Sequence, residues 1–200
     1  ETVRLGAGLD PEGQLTEDAM LRGLQCLARF RASLTGLEPS QVRAVATQTL
    51  REARNRNAFL ARAQAALRLP IEVISGREEA RLIYAGVSHL QPSDSKRLVI
   101  DIGGRSTEMI LGRGRVPTRA ESFQVGSVSL SMRYFPEGRF SAEAFRAAQV
   151  AAGAELEEAL AEFTPSRWHE ALGSSGTAGA VSEVLAATGR GVDAAVEASG

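Results

Sequence analysis

Residues 98–111 read LVIDIGGRSTEMIL. Leu98 to Ile102 is an apolar run of buried-strand length with Asp101 near its end, Gly103 and Gly104 allow a tight reversal, and Glu108 to Leu111 begins a second apolar run. The stretch predicts a hairpin. Its turn has two readings. Glycines form ordinary turns, but amides without side chains can also converge on an anion, with the Ser106 and Thr107 hydroxyls as further donors. Asp101 and Glu108 could then hold Mg²⁺ against phosphate oxygens. An acidic residue ending a buried strand, followed by GGxST and a glutamate, favours the second reading.

Working outward, strand and helix signals alternate. Thr16 with Glu17 and Asp18 starts a helix, whose apolar spacing through Leu21, Leu24 and Leu27 runs to Gly36. A short strand is predicted at Val42–Ala46, a helix over Leu50–Leu67 ended by Pro70, a strand at Ile71–Ile74, and a helix from Glu78 to Gly86. The polar stretch Gln91–Lys96 reads as a surface connection or domain hinge. Beyond the hairpin, Phe123 and Val125 suggest a further strand. Ser141–Phe163 reads as one long helix, Leu172–Thr177 as a small-residue turn, and Ala178–Thr188 as a helix. The fold class is mixed α/β.

The small-residue run Gly173, Ser174, Ser175, Gly176 and Thr177 sits before a helix, so it is either an anion cradle at a positive helix end or a plain capping turn. Glu78 and Glu79 fall in a first helical turn, where the dipole favours carboxylates whatever their use. Arg51, Arg54 and Arg56 are either a solvated face or a grip on phosphate. His89, His169, Cys26 and Trp168 show no metal-ligand or base-stacking spacing and are assigned to structure.

Composition removes other classes. With 23 basic and 24 acidic residues the formal net charge is −1, which gives no bulk reason to expect DNA, RNA or a membrane surface. A single cysteine excludes an internal disulfide framework and multi-cysteine metal sites. No uninterrupted apolar run reaches membrane-spanning length, and no internal repeat is present.

Several segments together resemble the exopolyphosphatase and guanosine pentaphosphate phosphohydrolase family, within the acetate kinase, sugar kinase, Hsp70 and actin superfamily. They are VRLGAGLD from Val3, AVATQTLREARN from Ala44, IEVISGREEARLIYAGV from Ile71, LVIDIGGRSTEMILG from Leu98 and GSSGTAGAV from Gly173. The resemblance implies two ribonuclease H-like (actin-like ATPase) domains, mixed sheets flanked by helices around a cleft. The expected domains are residues 1–85 and 86–200. It also implies Mg²⁺- or Mn²⁺-assisted hydrolysis of a terminal phosphoanhydride bond. By residue, Glu79 of SGREEAR is the expected general base on water, and Asp101 and Glu108 the expected metal ligands. Arg51 of ATQTLR, Gly103, Gly104, Arg105, Ser106 and Thr107, with Gly173, Ser174, Ser175, Gly176 and Thr177, are the expected phosphate-binding residues.

The implied substrate is linear inorganic polyphosphate, with guanosine pentaphosphate as the alternative. A non-catalytic polyphosphate or nucleotide sensor and an actin-like kinase or ATPase are the further classes. A cytoplasmic or membrane-peripheral location and a tendency to form homodimers also follow from the resemblance. Two departures stand out. The family's Asp-Gly-Ser-Asn hairpin is expected upstream of Glu1 and its closing segment beyond Gly200, so this stretch alone is expected to have an incomplete cleft. Arg105 replaces a small residue, either adding a cation for a polyanion or obstructing approach of phosphate to the backbone.

Overall fold

The computed structural model describes residues 3–189. The chain divides into two compact units, one ending at Ser75 and the other starting at Gly76. In the first unit, α1 (Glu17–Ser33) starts where the Thr16 hydroxyl accepts the Ala19 amide at 3.4 Å. The strands β1 (Ala44–Ala46) and β2 (Ile71–Val73) pair in parallel, with Ala44 opposite Ile71. Between them lie α2 (Gln48–Glu52) and α3 (Arg56–Leu67). Leu9, Leu15, Met20, Leu50 and Phe59 form the core of this unit.

One helix over 50–67 was expected, and the structure breaks it at Ala53–Asn55. Asn55 explains the break. Its side-chain amide accepts the Leu15 amide and donates to the Leu15 carbonyl, both at 2.9 Å. A side chain that satisfies another segment's backbone in this way competes with helix continuation.

The second unit opens with α4 (Gly76–Leu90) and contains a four-stranded sheet. Its strands are β3 (Lys96–Ile102), β4 (Thr107–Arg113), β5 (Val116–Phe123) and β6 (Glu170–Ser174), in the order β5-β4-β3-β6. β3 is antiparallel to β4 and parallel to β6, so the sheet is mixed. Strand alternation sends two apolar sets to opposite faces. Val99 and Ile110, both fully buried, meet Ala80 and Tyr84 of α4. Leu98, Leu111 and Phe123 meet Ala159 and Phe163 on the other face. Burying each large side chain is worth about 1.5–3 kcal/mol, so this sandwich holds the hairpin rigidly. The covering elements on the second face are α5 (Ser127–Tyr134), α6 (Ala142–Glu155) and α7 (Glu157–Glu162). The last described helix is α8 (Ser175–Ala187).

Several expectations need correction. The boundary expected at 85/86 falls within α4, because Gly86 sits on an open helix surface where it ends nothing. Gln91–Lys96 is no domain hinge but a link inside the second unit, tied down by the Ser93 hydroxyl, which donates to Glu170 at 2.9 Å. The helix expected over 141–163 is two, interrupted at Leu156 with φ −94° and ψ 5°. β5 lies earlier than the Phe123–Val125 expectation, and α5 was not foreseen. Residues 190–200 of the expected second domain lie outside the described residues.

Candidate functional site

The hairpin register fixes the centre of the site. Asp101 stands directly opposite Glu108, Glu108 opposite Ser122, and Asp101 opposite Ser174. One transverse row thus crosses all four strands as Ser174–Asp101–Glu108–Ser122. By strand alternation it lies on the face of Val99 and Ile110, the face covered by α4. Glu79 is in the first turn of α4, one helical turn before Ile83, which packs against that same core.

Glu108 is 1% exposed, and the Ser122 hydroxyl donates to its Oε1 at 2.7 Å. Burial pushes its carboxyl up to about 7 from the ordinary 4.5, and the Glu79 and Asp101 carboxylates push the same way. The Ser122 and Ser106 hydroxyls oppose the rise. The Glu79 and Asp101 carboxylates are therefore near enough to act electrostatically on Glu108. Arg77 bonds Glu121 with both nitrogens, at 3.1 and 3.2 Å, and so joins the start of α4 to β5 beside Ser122.

The four-residue loop 103–106 is closed by the Gly103 amide donating to the Ser106 carbonyl at 2.9 Å. Its carbonyls face the start of α5: Gly103 O accepts the Ser127 amide at 3.0 Å and Gly104 O accepts the Val128 amide at 2.8 Å. The Ser127 hydroxyl also donates to Gly103 O, at 3.3 Å. With those carbonyls held by helix amides, the loop is anchored on one side. Gly126 makes the approach feasible, since a Cβ there would meet Arg105 N and Gly104 C at 2.5 Å. Ser106 is buried and Arg105 half-buried. Thr107 donates its hydroxyl hydrogen to Val125 O at 2.6 Å, so this donor is already engaged.

The run Gly173–Thr177 corrects the expected turn. Gly173 and Ser174 complete β6, and α8 starts at once with Ser175, whose φ is +71°. The Ser175 hydroxyl donates to Ile102 O at 3.0 Å, and Thr177 reaches the Ser127 hydroxyl at 3.4 Å. Gly176 has nothing near a Cβ position. These residues meet the end of β3 and the start of α5. Arg51 belongs to the first unit. Its Nη1 donates to Ile74 O and its Nε to Gln48 Oε1, each at 2.9 Å.

Ser122, Gly126 and Ser127 escaped sequence reading. Ser122 enters only through strand pairing and leaves no local signal. The GSxS run 126–129 did carry one, because Gly and Ser are N-cap residues, and Ser129 closes that cap at 3.1 Å on the Gly126 amide.

As a metal site the row offers hard oxygen donors and like-charge repulsion that a divalent cation relieves. No group of three or more His, Cys, Asp or Glu is set to hold a metal ion among the described residues. Asp101 and Glu108 alone suit an ion such as Mg²⁺, which commonly takes one or two carboxylates and completes its shell with water and phosphate oxygens.

Solved structures share this architecture. An exopolyphosphatase from Cytophaga hutchinsonii is 28% identical with a TM-score of 0.81, over 95% of this chain and 61% of that one. A PPX-GPPA enzyme of Aquifex aeolicus is 26% identical with a TM-score of 0.72, over 94% of this chain and 61% of that one. An exopolyphosphatase-like protein is 25% identical with a TM-score of 0.81, over 94% and 59%. The fold is thus the mixed α/β fold of these proteins, and this chain spans about 60% of their length. The model of the Ppx/GppA phosphatase family matches residues 1–199, and the chain belongs to that family. No helix among the described residues is long and apolar enough to cross a membrane.

Proposed function

We propose that this protein is an exopolyphosphatase, releasing orthophosphate from the end of linear polyphosphate. The observation that carries the reading is the Asp101–Glu108–Ser122 row beside the Gly103–Ser106 loop, with Glu79 acting electrostatically on Glu108. Family membership and the exopolyphosphatase relatives support the same reaction class.

In this reading the terminal phosphoryl group rests against the hairpin loop 103–106. Glu79 takes a proton from water as the water oxygen bonds to the terminal phosphorus. The bridging P–O bond breaks, giving orthophosphate and a chain one phosphate shorter. Asp101 and Glu108 are the residues that would hold Mg²⁺ or Mn²⁺, which supplies charge neutralisation at the phosphate oxygens. Ser122 orients the Glu108 carboxyl, and Arg51, Arg105, Ser175 and Thr177 are assigned to phosphate binding by the resemblance.

The deciding experiment is Mg²⁺-dependent orthophosphate release from long-chain polyphosphate and from guanosine pentaphosphate, with Glu79→Gln as control. Faster release from polyphosphate that collapses in the variant supports the reading. Cleavage of the nucleotide alone replaces the substrate, and polyphosphate binding without turnover of either compound makes the protein a sensor.

A further inference from the structure

The end of the sheet away from the hairpin loop carries a concentration of positive charge. A cavity of about 630 Å³ there is lined by Lys96, Arg113, Arg119 and Arg167, with Glu162 as its only carboxylate. Lys96 opens β3, Arg113 closes β4, and the two are direct cross-strand partners. Like charges so placed repel unless something between them is negative.

The lone carboxylate does not neutralise them. Glu162 is held by Arg119 through Oε2 at 2.6 Å and Oε1 at 3.0 Å, and Arg119 also reaches Glu121 at 2.9 Å. Lys96, Arg113 and Arg167 form no ion pair among the described residues. Backbone carbonyls hold the two guanidiniums in place. Arg113 Nε donates to Asp94 O at 2.8 Å and Arg167 Nη1 to Glu162 O at 2.7 Å, while the Asp94 carboxylate makes no ion pair. Each guanidinium keeps further N–H groups for a ligand. The hydroxyls of Thr118 and Ser166 line the same cavity.

We propose that this is a second site for phosphoryl oxyanions, taking the distal part of a phosphate chain whose terminus lies at the Gly103–Ser106 loop. The cavity is far larger than one phosphate needs and has three uncompensated cations, which suits an extended polyanion. No aromatic side chain lines it, so it lacks the stacking platforms that a nucleic acid would use. Lys96 stands five strand positions from Asp101, about 17 Å at the strand rise, and on the opposite face of the sheet by strand alternation, so a short chain occupies one site and only a long one, passing around the sheet, reaches both. The proposal rests on the exopolyphosphatase reading for the identity of the chain, but not for the existence of the site.

The test compares the protein with its Lys96→Ala/Arg113→Ala/Arg167→Ala variant, titrated with long-chain polyphosphate, inorganic tripolyphosphate and orthophosphate over a salt series. The glutamine triple variant keeps side-chain volume and replaces the alanine one if that melts early. Long-chain binding weakened about tenfold or more, a log–log salt slope shallower by about two to three, and unchanged tripolyphosphate binding support the proposal. In turnover, KM for the long chain rises while kcat and the tripolyphosphate constants stay. Equal long-chain affinity and slope in both proteins overturns it, as does an equal loss for tripolyphosphate. Orthophosphate that depends on the three cations while the long chain does not also overturns it, assigning the pocket to free phosphate. If the unaltered protein hydrolyses no polyphosphate, the exopolyphosphatase reading fails, and the binding comparison still decides this site.

Discussion

Asp101 and Glu108 face each other across the β3–β4 ladder, and the Ser122 hydroxyl of the next strand donates to Glu108 at 2.7 Å. Two carboxylates in this position repel, and a buried one resists ionisation. The arrangement is costly for a metal-free fold and useful for one that receives a cation and a phosphate. This tension between stability and chemistry underlies the predictions.

Glu79→Gln keeps the shape of the side chain and removes the base of the proposed reaction. Orthophosphate release from polyphosphate should fall by about 10²–10⁴ in kcat, with the melting temperature within a few degrees of the unaltered protein. Residual activity within about threefold would remove Glu79 from the reaction.

Glu108 gives the metal-free protein a defined pH dependence. Its carboxyl is raised to about 7 in the fold against the ordinary 4.5, so between these values the native state holds more protons than the unfolded one. Stability is full below about pH 4.5 and is lost as pH rises through about 7, by something on the order of 3 kcal/mol. Urea midpoints taken in chelator from pH 4.5 to 8 should trace this fall, and Glu108→Gln should remove most of it. Ser122→Ala removes a hydroxyl that favours the ionised form and should carry the fall to higher pH.

Mg²⁺ should reverse that loss. At pH 8, ion at about one hundred times its Kd adds about 2.7 kcal/mol to the native state, seen as a rise in melting temperature that chelator abolishes. Asp101→Asn should suppress the rise. An equal Mg²⁺ response in that variant would falsify the assignment of Asp101 as a ligand.

Gly126 and Gly86 should answer oppositely to alanine. At Gly126 a Cβ would meet the backbone of Gly104 and Arg105 at 2.5–2.6 Å, so the hairpin loop must shift. Gly126→Ala should cost about 1–3 kcal/mol and depress kcat. Nothing lies within 4 Å of a Cβ at Gly86, which sits in α4, so Gly86→Ala should gain about 0.5–1 kcal/mol. Chemical denaturation of the two variants side by side checks both signs.

Glu170→Ala should be more damaging than its half-exposed side chain suggests. Arg97 is 1% exposed, its guanidinium bonds Glu170 at 3.0 Å, and Gln91 O accepts from it at 2.7 Å. Without the carboxylate a buried cation keeps only carbonyl partners, at a cost of about 3 kcal/mol or more. A urea midpoint unchanged from the parent would show that the pair contributes nothing.

The hairpin, its two acidic residues and the alternation of strand and helix were legible in the amino-acid sequence, because each depends on neighbours a few residues apart. Apolar runs declare strands, glycines declare the reversal, and a two-stranded register follows from a short loop. Asp101 stands opposite Glu108 because the loop takes four residues, 103–106, whereas a two-residue reversal at the glycines would pair it with Ser106. The resemblance singled out Glu79, whose position in a first helical turn carried no functional signal by itself. Tertiary structure decided the remainder. Ser122 joins the site by pairing across β4, Gly126 by the close approach of α5 to the loop, and Ser175 by bonding the end of β3. The Asn55 break and the uninterrupted α4 likewise arise from contacts distant in sequence. Local propensity acts over a turn or two of chain, whereas the raised affinity of Glu108 for its proton needs burial beneath α4 and two other carboxylates brought in by packing.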